Sequence, residues 1–159
     1  METVTRWRND EEVIGSLGAP FRYINPETDR RWFENYMQNR SRAVRLAICT
    51  EEDDRILGLA SLLDIDQLNQ SCTIHMMIGR ENQGKGAGTF GMRELTRHAF
   101  RNLNLRRVEL EVLESNSRGI HIYEKLGYVR EGCKRQAVYK QGRFRNVLLY
   151  SALRDEFQG

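Results

Sequence analysis

Five of the chain's 13 glycines fall in one stretch, Gly79 to Gly91, which reads GRENQGKGAGTFG. It lies between an alternating run, Ser71 to Ile78 (SCTIHMMI), and a segment with apolar residues at helical spacing. A glycine-rich passage from a strand into a helix constrains the fold more than any other feature here. Glycines let successive backbone N–H groups turn inward, and the helix start adds partial positive charge, so such a passage can cradle an anion. The strand–helix–strand unit that it heads should be parallel, with a right-handed crossover.

Three nucleotide-binding patterns overlap in this stretch. Gly79 to Lys85 spells G-x-x-x-x-G-K, but Gly86 stands where a P-loop needs the hydroxyl that holds magnesium. Gly86 to Gly91 (GAGTFG) spells the dinucleotide pattern G-x-G-x-x-G, and Glu109 or Glu111 follows roughly 20 residues on. That motif requires its first glycine in the tight turn directly after the strand, and here seven residues separate Ile78 from Gly86. Gln83 to Gly88 spells Q-x-x-G-x-G, which needs no metal and uses the helix start directly.

The remaining elements can be read from periodicity and punctuation. Asn9 or Asp10 is expected to cap a helix running to about Leu17, stopped by Gly18-Ala19-Pro20. Pro26 opens a second helix carrying Trp32, Phe33 and Tyr36, ending near Asn39 to Ser41. Ala43–Thr50, Ile56–Ile65 and Ser71–Ile78 read as an antiparallel meander. Residues 87–102 are helical, with Gly91, Leu95, Ala99 and Leu103 on one stripe. Arg106–Leu113 alternates as a strand, with Glu109 and Glu111 opposite Val108, Leu110 and Val112. A helix over Ser115–Leu126 follows, capped by Asn116 or Ser117 and closed by Gly127. Two final strands span about Tyr128–Tyr139 and Phe144–Leu153. The expected fold is a single α/β (α+β) domain over residues 1–159, with a mixed, mostly antiparallel central sheet and helices on both faces.

Composition narrows the function classes. Hydrophobic residues make up 40% and charged residues 30%, an ordinary globular mix, and the net charge of +3 does not call for nucleic acid. The most basic stretch, Lys134, Arg135, Lys140, Arg143 and Arg145, reads as a solvated strand face, with an anion-contacting surface as the sharper alternative. The longest apolar run, Ile56 to Leu63, is too short to cross a membrane, and METVTRWRND lacks the apolar segment of a signal peptide. Cys49, Cys72 and Cys133 are scattered and odd in number, as expected of reduced, mostly buried thiols in a cytoplasmic protein. The N-x-S triplets at Asn39 and Asn69 are then chance matches. No metal site is expected: Cys72 and His75 lie three apart on a strand and so on opposite faces, and His98 and His121 have no ligand-spaced neighbours.

Two segments in register resemble the GNAT superfamily of N-acetyltransferases. QGKGAG after SCTIHMMIGRE is similar to that family's acetyl-coenzyme A loop, and Val108 to Tyr128 (VELEVLESNSRGIHIYEKLGY) is similar to its second conserved block. The resemblance covers roughly residues 43–153. It implies that Gln83, Gly84, Lys85, Gly86, Ala87, Gly88 and Thr89 wrap the pyrophosphate of acetyl-CoA or CoA. It implies that Met77 and Ile78 offer backbone groups to the pantetheine arm, that Asn116 hydrogen-bonds the same arm, and that Tyr123 stands near the sulfur.

The resemblance further implies direct transfer of an acetyl group to a primary amine. Such transfer needs a neutral amine, a stabilised oxyanion and a proton for the thiolate. Tyr123 suits the acid role and Glu111 the base, as in similar ribosomal-protein N-terminal acetyltransferases; the glutamate that many relatives place on the fourth strand is about Thr73 here, so water-mediated deprotonation stays open, and His75 is a further candidate base. Phe21, Tyr23, Trp32, Asp64 and Asp66 are candidate acceptor-lining residues. The acceptor, a small molecule or a peptide N-terminus, stays open among spermidine, ribosomal-protein and amino-sugar classes, and so does the oligomeric state, with a homodimer among the options. Two other classes remain to be tested: a non-catalytic acetyl-CoA-binding module and a nicotinamide-dinucleotide enzyme.

Overall fold

The computed structural model describes residues 2–38 and 40–159. Asn39, expected near the end of the second helix, lies outside the described residues. The elements are α1 (Glu2–Arg8), α2 (Glu11–Gly15), α3 (Pro26–Gln38), β1 (Val44–Cys49), β2 (Ile56–Asp66) and β3 (Ser71–Ile78). A single 3₁₀ turn (Arg80–Asn82) follows, then α4 (Ala87–Arg101), β4 (Arg107–Leu113), α5 (Ser117–Lys125), β5 (Val129–Lys140) and β6 (Arg143–Leu153). From α3 onward these match the expected elements to within a few residues.

The N-terminal expectation is corrected. A helix already runs from Glu2 to Arg8, and Asp10 then caps a separate short helix by accepting from the N–H groups of Glu12 and Val13. Only Val4 and Trp7 of α1 are buried, so its apolar stripe is too sparse to read among charged neighbours. Asn9 does not cap. Its side chain donates to Ile24 O at 2.7 Å and accepts from Ile24 N at 2.8 Å, fixing the loop that leads to α3. Asn25 caps α3 through Thr28 N at 2.8 Å, with Pro26 at the first helical position where its missing N–H costs nothing.

The strands form one sheet in the order β1-β2-β3-β4-β6-β5. All neighbours are antiparallel except β3 and β4, which are parallel as expected. Paired residues share a face, so the sheet has two distinct sides. One side carries Ala60, Leu62, Cys72, Ile74, Val108, Leu110, Leu148 and Tyr150, packed against Met92, Leu95, Ala99 and Phe100 of α4. Gly91 lets α4 approach closely, because a methyl there would strike Ile48.

The other side is polar. It carries Arg45 opposite Ser61 and Ser61 opposite His75, then Thr73 opposite Glu109, with Glu111 two residues farther along β4. The pairing between β3 and β4 covers only Ser71–Thr73 with Arg107–Glu109. Beyond it the two strands part, and each keeps an unpaired edge. This split is the feature that positions the site.

Two expectations about side chains fail. Cys72 is buried, but Cys49 and Cys133 are exposed, because both lie on outer strands with no helix over them. Lys140 is not part of a solvated face. It is 6% exposed and its ammonium donates to the carbonyls of Ile14 (2.8 Å) and Ala19, tying the β5–β6 hairpin to α2.

Candidate active site

A cleft of about 1110 Å³ opens where β3 and β4 part and is lined from both sides of the sheet. Its floor includes Thr73, His75, Met77, Glu109 and Glu111, and its walls include Trp32 and Tyr36 of α3, Ser16–Ala19, Asn116 and Tyr123. At its edge the end of β3 runs through the 3₁₀ turn into the glycine loop.

The loop has the geometry of an anion cradle. Gly84 and Gly86 have φ of 76° and 89°, a region that side chains with a Cβ rarely enter. A Cβ at either would meet nothing within 4 Å, so backbone conformation and open space, not packing, require glycine there. Gly86 precedes α4 without a side-chain cap, and the first intrahelical bond is Phe90 N to Gly86 O at 2.9 Å. The N–H groups of Ala87, Gly88 and Thr89 are therefore left to an outside partner, at the positive end of the helix. Lys85 is exposed beside them. Gln83 shapes the approach: its Nε2 donates to Ile78 O at 3.2 Å, and its Oε1 accepts from Arg118 of α5 at 2.9 Å.

Met77 and Ile78 lie on the part of β3 that pairs with β2 on one side and has no strand on the other. That edge offers backbone groups to an extended ligand, as an added strand would take them. The Ile78 carbonyl is already used by Gln83.

Asn116 caps α5, accepting from Gly119 N at 3.0 Å, while its Nδ2 donates to Ser16 O at 3.1 Å across the cleft mouth. Both polar atoms are thus engaged within the protein, in a tether between α5 and the end of α2 that joins residues 100 apart and has no local signature.

Tyr123 projects from α5 into a small aromatic group, with ring centroids 6.1 Å from Tyr128 and 6.3 Å from Tyr150. Tyr128 and Tyr150 are themselves held by hydrogen bonds to Thr96 (2.7 Å) and Glu124 (2.9 Å). Burial pushes the Tyr123 phenol up to about 12, so it stays protonated at neutral pH. Among the described residues its hydroxyl has no hydrogen-bond partner, which leaves the proton free for a ligand.

Glu111 lines the cleft, with its carboxylate ion-paired to Lys134 of β5. Glu109 and Glu131 share the guanidinium of Arg107, at 3.2 and 2.6 Å, and that pairing with Ser151 holds the Glu131 carboxyl down at about 2. His75 lies in the same floor. Burial lowers its pKa, outweighing the opposing pull of Asp64 and Glu111, and so favours the neutral imidazole.

The expected acceptor-lining set is reached only in part. Trp32 and Asp64 line the cleft. Phe21 and Tyr23 do not: they pack edge-to-face on each other at 5.3 Å, with Tyr23 88% exposed. Asp66 also turns away, because its carboxylate accepts from Leu68 N and Asn69 N and closes the β2–β3 turn. Arg45 was missed. Its position opposite Ser61 follows from the strand alternation, but its rings, Trp32 at 4.9 Å and Tyr36 at 5.5 Å, come from α3.

Residues 1–129 match the family model described as an acetyltransferase (GNAT) domain. The chain is 28% identical over 159 residues to the N-acetyltransferase p20 of Bacillus licheniformis, covering 99% of this chain and 89% of that protein. It is 29% identical over 105 residues to the spermidine N(1)-acetyltransferase of Vibrio cholerae, covering 66% of this chain and 61% of that one. Among solved structures, the spermidine N-acetyltransferase from Vibrio cholerae, in complex with CoA and spermine, superposes with a TM-score of 0.91. The sequence identity there is 21%, over 98% of this chain and 90% of the other, so the likeness is one of fold.

Proposed function

The chain belongs to the acetyltransferase (GNAT) family, and from that premise we propose how its own residues move an acetyl group from acetyl-CoA to a primary amine. The observation that carries the reading is the uncapped start of α4 behind Gly84 and Gly86, opening beside the unpaired edge of β3. Gln83, Gly84, Lys85, Gly86, Ala87, Gly88 and Thr89 hold the pyrophosphate through backbone N–H groups and the helix dipole. Met77 and Ile78 hold the pantetheine arm along the free edge of β3, and Asn116 meets it by exchanging its bond to Ser16. Acetyl-CoA supplies a thioester, whose acyl carbon an amine attacks and whose sulfur departs.

Tyr123 donates the proton of its hydroxyl to the departing sulfur. Burial raises its pKa and so keeps that proton in place at neutral pH, available to the thiolate. We assign removal of the ammonium proton to Glu111, with neutral His75 as the second base of the same floor. The Lys134 pair supports His75, because it occupies the Glu111 carboxylate from one side. Among the described residues no helix is long and apolar enough to cross a membrane. The acceptor is a small molecule or a peptide N-terminus that fits the cleft under α3.

The test is thiol release from acetyl-CoA across amine acceptors, beside calorimetric binding of CoA. Saturable release with one acceptor class is expected. CoA binding without release from any amine would mark a binding module, and NADH competing for the loop would overturn the cofactor assignment.

A further inference from the structure

Among the described residues the charged groups of the cleft are nearly all paired, and the two exceptions have opposite sign. Of the cations that line it, Arg8 pairs with Asp29, Arg107 with Glu109 and Glu131, and Lys134 with Glu111. Arg45 alone has no carboxylate partner among the described residues. Of the lining carboxylates, Asp64 alone has no cation within ion-pair distance among the described residues.

Arg45 is also held in place. Its guanidinium stacks between the rings of Trp32 (4.9 Å) and Tyr36 (5.5 Å), and the Tyr36 hydroxyl accepts from the Arg45 backbone N–H at 3.0 Å. Its Nε is buried with no hydrogen-bond partner. That one buried donor is left unsatisfied among the described residues, at a cost in free energy. Stacking covers the faces of a guanidinium and leaves its in-plane donors, the ones that match a carboxylate. Arg45 and His75 flank Ser61 on one face, two strand spacings or about 10 Å apart at Cα, and Asp64 acts on His75 from the bulge in β2.

We propose that the acceptor is a small amine that also carries a carboxylate, which Arg45 binds between Trp32 and Tyr36 while Asp64 faces the ammonium. The inference rests on the acetyltransferase reading and adds the acceptor's chemical class. A bare polyamine would leave Arg45 unmatched and set its positive charges against a fixed cation.

The experiment measures thiol release from acetyl-CoA with amino acids and short dipeptides, each beside its carboxamide, and with spermidine. Amino acid against dipeptide identifies the source of the carboxylate. The expected result is a KM for a carboxylate at least about tenfold below that of its carboxamide, as for a charge pair at a desolvated site. Arg45→Met should raise the carboxylate KM about thirtyfold and the carboxamide KM by much less, with CoA affinity unchanged. Arg45→Lys should recover only part of the loss, since it keeps charge without the fork. If the Met variant does not fold, the wild-type acid–amide comparison and Arg45→Lys decide. Equal use of acid and amide, preference for spermidine, or no release from any acceptor by a protein that binds acetyl-CoA would overturn the proposal and leave the cofactor site standing. Failure to bind CoA at all would instead remove the acetyltransferase reading.

Discussion

The indole of Trp7 lies directly over the α-carbon of Gly79, so that a methyl group on Gly79 would collide with the ring. Trp7 is 1% exposed, and its Nε1 donates to Glu81 at 3.2 Å. This contact seats α1 on the passage from β3 into the glycine loop, and the Arg80–Glu12 pair at 2.9 Å adds α2 to the same seam.

Gly79→Ala should therefore destabilise the fold by about 1–3 kcal/mol, since the neighbour is a rigid ring in a packed site. A denaturant midpoint measures it. A variant as stable as the parent would mean that α1 does not pack here.

A second prediction concerns Asp29, buried at 0% exposure in α3 and bound by Arg8 and by the Thr5 hydroxyl at 2.5 Å. Arg8→Ala leaves that carboxylate buried and hydrogen-bonded to the Thr5 hydroxyl but without its cation. The expected cost is about 3 kcal/mol, read as a fall in thermal midpoint. Because the pair fastens α1 to α3, acceptor KM should rise as well, with CoA affinity unchanged.

The glycine loop separates strain from charge. Gly86→Ala meets no atoms and adds only a left-handed backbone penalty of about 1–2 kcal/mol. Gly86→Asp adds a like charge beside the phosphates. Calorimetry should show CoA affinity falling at least about tenfold further for Asp than for Ala, as one charge at a helix start allows. Equal affinities would place the phosphates elsewhere.

Tyr123→Phe should lower kcat about a hundredfold or more, the usual worth of a positioned proton donor. Thermal stability and CoA affinity should hold, because no protein partner of the hydroxyl is lost. With its pKa at about 12, Tyr123 should give no falling limb in the rate profile of the parent enzyme below pH of about 10. Such a limb, lost in the Phe variant, would contradict the raised pKa.

His75 is testable by pH. Its folded pKa lies below the ordinary 6.5, so below that pH the unfolded chain binds more protons than the folded one. Stability should rise with pH through this window, and His75→Gln should flatten the rise. For the base assignment, Glu111→Gln should reduce kcat about tenfold to a hundredfold at neutral pH. If Glu111→Gln is silent and His75→Gln carries that loss, the proton acceptor is His75.

Most of the sheet was legible because alternation survives wherever one strand face packs on a helix. Val108, Leu110 and Val112 are buried against α4 while Glu109 and Glu111 face the cleft, as their spacing indicates. The cap at Asn116 and the left-handed turn at Gly127 were legible for the same local reason. Helix α1 was not, because it buries only Val4 and Trp7, and Trp7 packs on Gly79, which is distant in the chain.

The glycine loop, the parallel crossover and the positions of Tyr123 and Glu111 follow from local rules of turn, cap and period, which act over a few residues. Pairing of charges does not. Lys134 meets Glu111 across β5 and β4 and Lys140 is buried under α2, whereas Arg45 sits between two rings of α3 with no carboxylate paired to it among the described residues. Those partners are chosen by which strands neighbour one another and which helix closes over them. Coulomb and desolvation energies depend on distances through space, and only the folded chain fixes those.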